Sequence, residues 1–274
     1  MSLLHQSLAV GPIGLSVERW LLILAVVLAL LAGALMGARR RVSVSDSLTT
    51  ALLVGVVGAR LLFVAQYHQR YDGLLAMLDI RDGGFAPLGG VIAAALYLAW
   101  RLWRSPKKRG PLAGAVLVGA FSWGLTAGSL MLIDHQAGSL PEVPMATLDG
   151  ESTSLTGLAE RTSQPLVVNL WATWCPPCRR EMPLLESAQR EHDDIAFVFA
   201  NQGESSVHVR RFLDAETLNL DNVWLDPSLA LGTQLGAQIM PTTLFFDADG
   251  RLIDSHIGEL SRASLAPYLE RLKR

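Results

Sequence analysis

Long uncharged stretches in the first half of this 274-residue sequence limit the folds open to it. Half of the residues are hydrophobic and only 18% are charged, and most of the charges lie after residue 135. A helix needs about 20 apolar residues to cross a bilayer, where it must satisfy its own backbone hydrogen bonds. The pattern therefore predicts an α-helical membrane domain with about four transmembrane helices. They are expected near residues 18–38, 47–67, 85–103 and 111–133.

Two clusters of basic residues predict how this domain is oriented. One follows the first apolar stretch and the other precedes the last. Because cytoplasmic loops carry an excess of Lys and Arg, both clusters are expected in the cytoplasm. The N-terminus and the second half of the chain are then expected on the extracytoplasmic (periplasmic) side. A cleaved signal peptide is an alternative for the first stretch, although its Arg cluster follows the apolar run instead of preceding it. The clusters are Arg39–Arg41 and, further on, Arg101, Arg104, Lys107, Lys108 and Arg109.

The second half of the sequence predicts a separate α/β domain. Residues 136–141 include Gly, Ser and Pro and are expected to link a membrane domain at 1–135 to a second domain at 142–274. Short apolar runs in this second part alternate with helical patterns and end in a hairpin and a helix. This order favours a mixed central sheet with helices on both faces. The net charge of −2 gives no support for a nucleic-acid partner.

The only two cysteines in the chain, Cys175 and Cys178, stand in the sequence Trp-Cys-Pro-Pro-Cys. They follow the buried-strand pattern Leu166–Trp171 and precede a helical pattern, so Cys175 is expected at a helix N-terminus. The partial positive charge there stabilises a thiolate. We therefore expect Cys175 to attack a client and Cys178 to resolve the mixed disulfide. Because Pro176 has no N–H, one stabilising donor is missing and extreme thiolate stabilisation is not expected. The residues expected to support the site are Trp174, Pro176 and Pro177.

Three other interpretations of the cysteine pair compete with a redox site. A purely structural disulfide would close too small a loop to stabilise the fold much. A zinc site needs four ligands, and the sequence has no second pair of cysteines. Two inert core thiols would leave the flanking Trp and Pro residues without a role. A redox site is therefore the favoured interpretation.

A second candidate element is Met240-Pro241-Thr242, directly before a predicted strand. No other turn residue accompanies the proline, which favours a cis peptide bond. Such a loop could present a backbone edge to an extended client segment beside Cys175. The alternative is an ordinary trans proline that begins a strand.

Residues 168–183 resemble the TlpA/ResA/CcmG-type membrane-anchored thioredoxins, with the sequence Val-Asn-Leu-Trp-Ala-Thr-Trp-Cys-Pro-Pro-Cys-Arg-Arg-Glu-Met-Pro. The resemblance covers about residues 140–272 and includes Met240–Thr243 as the cis-proline loop. It implies a thioredoxin fold, client docking at that loop, and the reduction of disulfides as the direction of reaction. It also implies that Glu181 is the family acid that tunes thiol pKa and proton transfer. From the sequence alone, Glu181 could equally be a solvated charge in the first turns of a helix.

The membrane half resembles the early part of the prolipoprotein diacylglyceryl transferase family. The resemblance rests on Gly58-Ala59-Arg60, on Tyr71 in the next loop and on paired glycines at 83–84 and 89–90. The family has a functional His where Leu88 stands here, and further spans with essential arginines. These departures argue against transferase activity and favour an anchor, with a lipid-binding remnant as the alternative. Arg60 is a candidate functional residue because an ionisable side chain within a span is costly to bury, or its long stem could snorkel to the interface.

The absence of cysteine from the membrane half limits how the redox site can be supplied with electrons. That half cannot pass electrons across the bilayer by thiol–disulfide exchange, so a separate membrane thiol donor is expected. The other expected partners are the lipid bilayer and client proteins with cysteines or disulfides, and no cofactor or metal is expected. Together these features predict a disulfide reductase in the cytoplasmic (inner) membrane. A thiol oxidase, a disulfide isomerase and a lipid- or lipoprotein-modifying membrane half are the alternatives.

Overall fold

The computed structural model describes residues 7–10, 13–133 and 140–273. The chain separates into two compact units. We call residues 18–80 and 84–133 the helical unit, and residues 140–273 form nearly all of the described part of the other, which we call the sheet unit. Most of the predicted linker at 136–141 lies outside the described residues.

The helical unit has four long helices and one short one. A small antiparallel hairpin, β1 (Ser7–Val10) and β2 (Ile13–Ser16), precedes the first helix. Three segments are long and apolar enough to cross a membrane, namely Val17–Arg39, Ser45–Arg70 and Pro106–Gly128. They correspond to the first, second and fourth predicted spans. The helices are α1 (Val17–Arg39), α2 (Ser45–Tyr67), α3 (Leu74–Leu78), α4 (Pro87–Arg104) and α5 (Arg109–Ile133), with short 3₁₀ turns at His68–Arg70 and Pro106–Lys108.

The third predicted span, at 85–103, corresponds to α4, which is not among the three apolar segments found in the described residues. Its 18 residues give a length of about 27 Å at 1.5 Å per residue, slightly less than the hydrocarbon thickness of about 30 Å. Arg101 and Arg104 occupy its last turn and lower its hydropathy. The helix forms where the sequence predicted it, but its composition alone does not identify it as a span.

Glycines bring α2 and α4 into close backbone contact. A Cβ added to Gly58 would lie 2.9 Å from the carbonyl oxygen of Gly89, and one added to Gly90 would lie 2.9 Å from the carbonyl oxygen of Gly55. Both distances are shorter than a real Cβ contact, so a larger residue at either position would force the helices apart. Small residues permit this approach between helices in a membrane, where packing and not the hydrophobic effect drives association.

The sheet unit contains a seven-stranded mixed sheet, as predicted, in the order β4-β3-β7-β6-β5-β8-β9. Strands β5, β6 and β7 are parallel, and β8 runs antiparallel to β5. The strands are β3 (Met145–Thr147), β4 (Ser152–Thr153), β5 (Leu166–Trp171), β6 (Ala196–Gln202), β7 (Val223–Asp226), β8 (Thr242–Phe246) and β9 (Leu252–Ile257). The helices are α6 (Leu155–Thr162), α7 (Pro176–Glu191), α8 (Ser206–Glu216), α9 (Ala230–Gln234) and α10 (Arg262–Leu272).

Helices cover both faces of this sheet, and every residue of β5 is buried. Val167 and Trp171 of β5 face a core formed with α7, α8 and α10. Leu166, Val168 and Leu170 face a second core formed with α6 and α9. This alternation follows from the twofold side-chain period of a strand. It explains why the sequence of β5 is a nearly continuous apolar run, interrupted only by Asn169.

Candidate functional site

Cys175 and Cys178 lie where β5 ends and α7 begins, and they are joined by a disulfide. Cys175 is the N-cap residue of α7, and its sulfur accepts a hydrogen bond from the Cys178 N–H at 3.4 Å. Cys175 is 3% exposed and Cys178 is completely buried. Of the two cysteines, Cys175 is therefore the more accessible to a partner.

The residues around the pair differ in exposure. Trp174 is 65% exposed, directly beside Cys175. Pro176 and Pro177 occupy the first two positions of α7 and contribute no N–H. The first backbone donor of the helix is therefore that of Cys178, and it points at the Cys175 sulfur. The sequence predicted that Pro176 removes one backbone N–H donor from the start of the helix, and in the structure Pro177 removes a second.

The peptide bond between Met240 and Pro241 is cis, as predicted. In the sheet, Thr242 at the start of β8 pairs with Leu170, near the end of β5. Because β5 and β8 are antiparallel, the residues just before β8 lie at the same edge as the loop that leads to Cys175. Met240 packs against the core cluster that contains both cysteines. The topology thus brings the predicted cis-proline loop to the edge of the sheet where the disulfide lies.

Glu181 is buried inside the sheet unit, only 1% exposed, which rules out the solvated first-turn charge considered above. Its Oε1 accepts a hydrogen bond from the Asn169 side-chain amide at 2.8 Å, and its Oε2 accepts one from the Leu260 N–H at 2.9 Å. Burial raises the pKa of Glu181 to about 8, although both hydrogen bonds oppose the rise. Glu181 can therefore carry or release a proton near neutral pH, one helical turn beyond Cys178.

Asn169 connects this carboxyl group to the neighbouring strand. Its amide nitrogen also donates to the Thr243 hydroxyl at 2.9 Å, from β5 to β8. Asn169 lies on the same face of β5 as Val167 and Trp171, so it faces α7 and therefore Glu181. The polar group at this position in an otherwise apolar strand is explained by its bond to Glu181.

Glu204 was not anticipated from the sequence, but it holds the loop that carries Cys175. Its carboxylate accepts hydrogen bonds from the Thr173 N–H at 2.7 Å and the Thr173 hydroxyl at 2.5 Å. It also accepts one from the Asn201 side chain at 2.7 Å. The sequence signal for this contact was the polar stretch directly after β6. The carboxyl ends of neighbouring parallel strands meet at one edge of a sheet, so this stretch lies beside the loop after β5.

Replacing Glu204 with alanine is expected to lower the free energy of unfolding by about 1–3 kcal/mol, because the Thr173 N–H loses its acceptor in a partly buried position. Denaturant unfolding of the full chain in detergent, followed by tryptophan fluorescence, measures this change. Glu216→Ala is the matched control, since that carboxylate pairs with an exposed arginine and is expected to contribute less than about 1 kcal/mol. Equal losses in the two variants would contradict the role given to Glu204.

Arg60, the candidate residue in the helical unit, is bound by backbone carbonyls of the connection between α2 and α4. Its Nη1 donates to the Gly84 oxygen at 2.7 Å, and its Nη2 donates to the oxygens of Met77 at 3.0 Å and Asp79 at 2.5 Å. Three aromatic rings lie 5.6–6.0 Å from the guanidinium carbon, which suits cation–π attraction. These contacts fasten the connection to α2. The rings belong to Phe63, Tyr71 and Phe85.

Two family models match the chain, one in each half. Residues 136–269 match Redoxin, and residues 9–128 match Prolipoprotein diacylglyceryl transferase. The two matches follow the division of the molecule into a sheet unit and a helical unit.

The chain also aligns with individual proteins. The thioredoxin-like protein YneN of Bacillus subtilis is 30% identical over 161 residues, which is 57% of this chain and 92% of YneN. The thiol-disulfide oxidoreductase ResA of Halalkalibacterium halodurans is 30% identical over 128 residues, 46% of this chain and 70% of ResA. Among solved structures, a thiol:disulfide interchange protein DsbE from Chlorobium tepidum aligns with a TM-score of 0.42 and 23% identity, over 50% of this chain and 94% of that one.

Proposed function

Because the chain belongs to the thioredoxin-like thiol-disulfide oxidoreductases, we propose that it reduces disulfides in client proteins through Cys175 and Cys178. The observation that carries the proposal is the arrangement of the pair, with an outer cysteine at a helix N-terminus and a fully buried second cysteine behind it. The runners-up are oxidation of client thiols and disulfide isomerisation by the same two residues.

The proposed reaction has two exchange steps. The Cys175 thiolate of the reduced protein attacks one sulfur of a client disulfide, forms a mixed disulfide and releases the other client sulfur as a thiolate. Cys178 then loses its proton and attacks Cys175, which restores the disulfide seen here and releases the second client thiolate. The ionised form of Glu181, buried one turn away, is proposed to take up the Cys178 proton, since a pKa of about 8 leaves part of this carboxyl ionised near neutral pH. Two electrons pass to the client in each cycle.

We propose that the sheet unit works on the extracytoplasmic side of the cytoplasmic membrane. Apolar helices support membrane attachment. The basic residues at 39–41 and 101–109 support a cytoplasmic position for the α1–α2 and α4–α5 connections. If α4 is counted as a span, the chain crosses the membrane four times, and the sheet unit then lies on the extracytoplasmic side. Since both cysteines are in the sheet unit, a separate membrane thiol protein would return electrons to it.

In this proposal the helical unit is an anchor. The match to the diacylglyceryl transferase model covers this unit, but Leu88 stands where the family has its functional His. Arg60 is engaged by the carbonyl oxygens of Met77, Asp79 and Gly84. These contacts favour a structural role for Arg60 over transfer chemistry.

The direction and the location are tested together by trapping thiols in living cells. Acid quenching followed by alkylation is expected to find most of the Cys175–Cys178 pair reduced. A membrane-impermeant maleimide, added before lysis to cells with a permeable outer envelope, is expected to label Cys175. A Cys175→Ser, Cys178→Ser double variant sets the background. If the pair is mostly oxidised, the protein is an oxidase of client thiols and not a reductase. If the impermeant reagent does not label Cys175, the proposed extracytoplasmic position is wrong.

A further inference from the structure

Exposed large hydrophobic side chains are confined to one edge of the sheet unit. Among residues 140–273, only Trp174, Val207 and Leu229 have this character, at 65%, 70% and 47% exposed. Single exposed apolar residues are ordinary, but these three share a location. Trp174 follows β5, Val207 follows β6 in the first turn of α8, and Leu229 follows β7. Since β5, β6 and β7 are adjacent and parallel, all three lie at the edge that carries Cys175.

Direct contacts connect the three loops across this edge. Thr173, beside Trp174, is bound by Glu204 in the loop after β6. In that same loop, the Gly203 N–H donates to the Asp226 oxygen at the end of β7. A Cβ added to Gly203 would lie 3.5 Å from a methyl carbon of Leu229. The Leu229 side chain therefore rests on the loop that holds the cysteine loop in place.

Leu229 adopts a backbone conformation that leucine disfavours. Its φ and ψ are 57° and 26°, in the left-handed region, where glycine is the usual residue. Buried Asp226 imposes this turn, because its carboxylate accepts hydrogen bonds from the Ala230 N–H at 2.9 Å and the Leu231 N–H at 2.8 Å. Glycine would satisfy the same turn at lower conformational cost. An exposed leucine here thus carries a backbone cost, and neither core packing nor the turn requires it.

We propose that Trp174, Val207 and Leu229 form a docking surface for the client segment that carries the target cysteine, with Leu229 selecting an apolar side chain near that cysteine. This inference rests on the proposed function and deepens it by naming a substrate class, extended segments with an apolar residue beside the cysteine. Continuity with Cys175 favours a client as the occupant, since the surface begins at the residue directly before the nucleophile. Strained residues held by their surroundings occur at ligand-binding sites.

The test uses the full chain in detergent, reduced beforehand and freed of reductant. The probes are two peptides whose single cysteine is joined as a mixed disulfide to thionitrobenzoate. One peptide has leucine near the cysteine and the other has serine at the same position. The chain's two thiols become the Cys175–Cys178 disulfide, and each probe is reduced to a free peptide thiol and coloured thionitrobenzoate. The second-order rate constant of colour release is measured for both peptides and for the small disulfide dithiobis(nitrobenzoate).

Leu229→Gly is the informative variant, because glycine fits the turn and removes the side chain. The rate with the leucine peptide is expected to fall about fivefold to tenfold relative to the unchanged chain. The rates with the serine peptide and the small disulfide are expected to stay within about twofold, and the melting temperature should not fall. Thr217→Gly is the matched control, since Thr217 also has a positive φ of 55° but caps the far end of α8. It should leave all three rates unchanged.

Several outcomes would overturn the docking surface. One is an unchanged leucine-peptide rate in Leu229→Gly, and another is an equal fall for all three disulfides. If the loss of rate with the leucine peptide depends on protein concentration, the surface binds a second copy of the chain. If that loss is seen only in lipid vesicles, the surface binds the bilayer. If the unchanged chain does not react even with the small disulfide, the proposed function fails first.

Discussion

Replacing Cys178 with alanine is expected to stop the reaction at the mixed disulfide. Cys178 is the only other thiol in the chain, and its N–H already points at the Cys175 sulfur. Without it, no group in the protein can release the client, so turnover should fall by roughly a hundredfold or more. The adduct should accumulate one client per chain, visible by non-reducing electrophoresis and mass spectrometry after cells are quenched in acid.

Cys175→Ala is the control for this experiment. It removes the outer, attacking sulfur and leaves the fully buried Cys178, so no adduct is expected. Adducts on Cys178 in that variant would reverse the assignment of the two roles. Release of the client from Cys178→Ala at the unchanged rate would mean that an external thiol resolves the intermediate. The trapped proteins would also identify the clients, whose sequences around the cysteine can be compared with the docking surface proposed above.

Replacing Glu181 with glutamine is expected to remove a large pH dependence of stability. The pKa of this carboxyl rises from 4.5 to about 8 on folding, chiefly because burial disfavours the charged form. Between these values the folded state binds a proton that the unfolded state has lost. The free energy of unfolding is therefore highest at pH values below 4.5, the pKa of the unfolded state, and it falls as pH rises, by about 1.4 kcal/mol per pH unit at most. The fall ends once the folded carboxyl is also ionised.

The measurement is the free energy of unfolding of the full chain in detergent, from pH 5 to pH 9. The unchanged chain is expected to lose several kcal/mol over this window, and Glu181→Gln should lose far less because glutamine does not titrate. Glu160→Gln is the control, since Glu160 is exposed on α6, and it should behave like the unchanged chain. Parallel curves for Glu181→Gln and the unchanged chain would show that Glu181 is ionised throughout.

Sequence patterns predicted the features that depend on local chemistry or on strong periodicity. The mixed sheet follows from apolar runs that alternate with helical patterns, because strands buried on both faces are apolar at most positions. The cis bond at Pro241 was predicted from its place before a strand. The redox interpretation of Cys175 and Cys178 rests on their spacing, their Trp and Pro neighbours and a helix start, and it stays a prediction.

The features that depend on contacts between distant segments were not predicted. The burial of Glu181 depends on Asn169 and Leu260, which are 12 and 79 residues away, so no local pattern could distinguish it from a solvated charge. Glu204 acts on Thr173 across two parallel strands, and only the strand order brings them together. The left-handed backbone of Leu229 has no local signal in the sequence, because hydrogen bonds to Asp226 hold the turn and no glycine marks it.

The glycine contacts between α2 and α4 have a consequence for how the protein is made. Helix α4 has two arginines in its last turn and is less apolar than the neighbouring long helices. Its transfer into lipid without a partner helix is therefore less favourable than theirs. Its partner offers a complementary surface at Gly55 and Gly58, against which Gly89 and Gly90 fit backbone to backbone. We therefore expect α4 to leave the translocon together with α2, as a preformed hairpin. Assembly of this half would then be limited by shape as much as by apolarity, and a single methyl group at Gly58 or Gly89 would act at the stage of membrane insertion, before any redox chemistry begins.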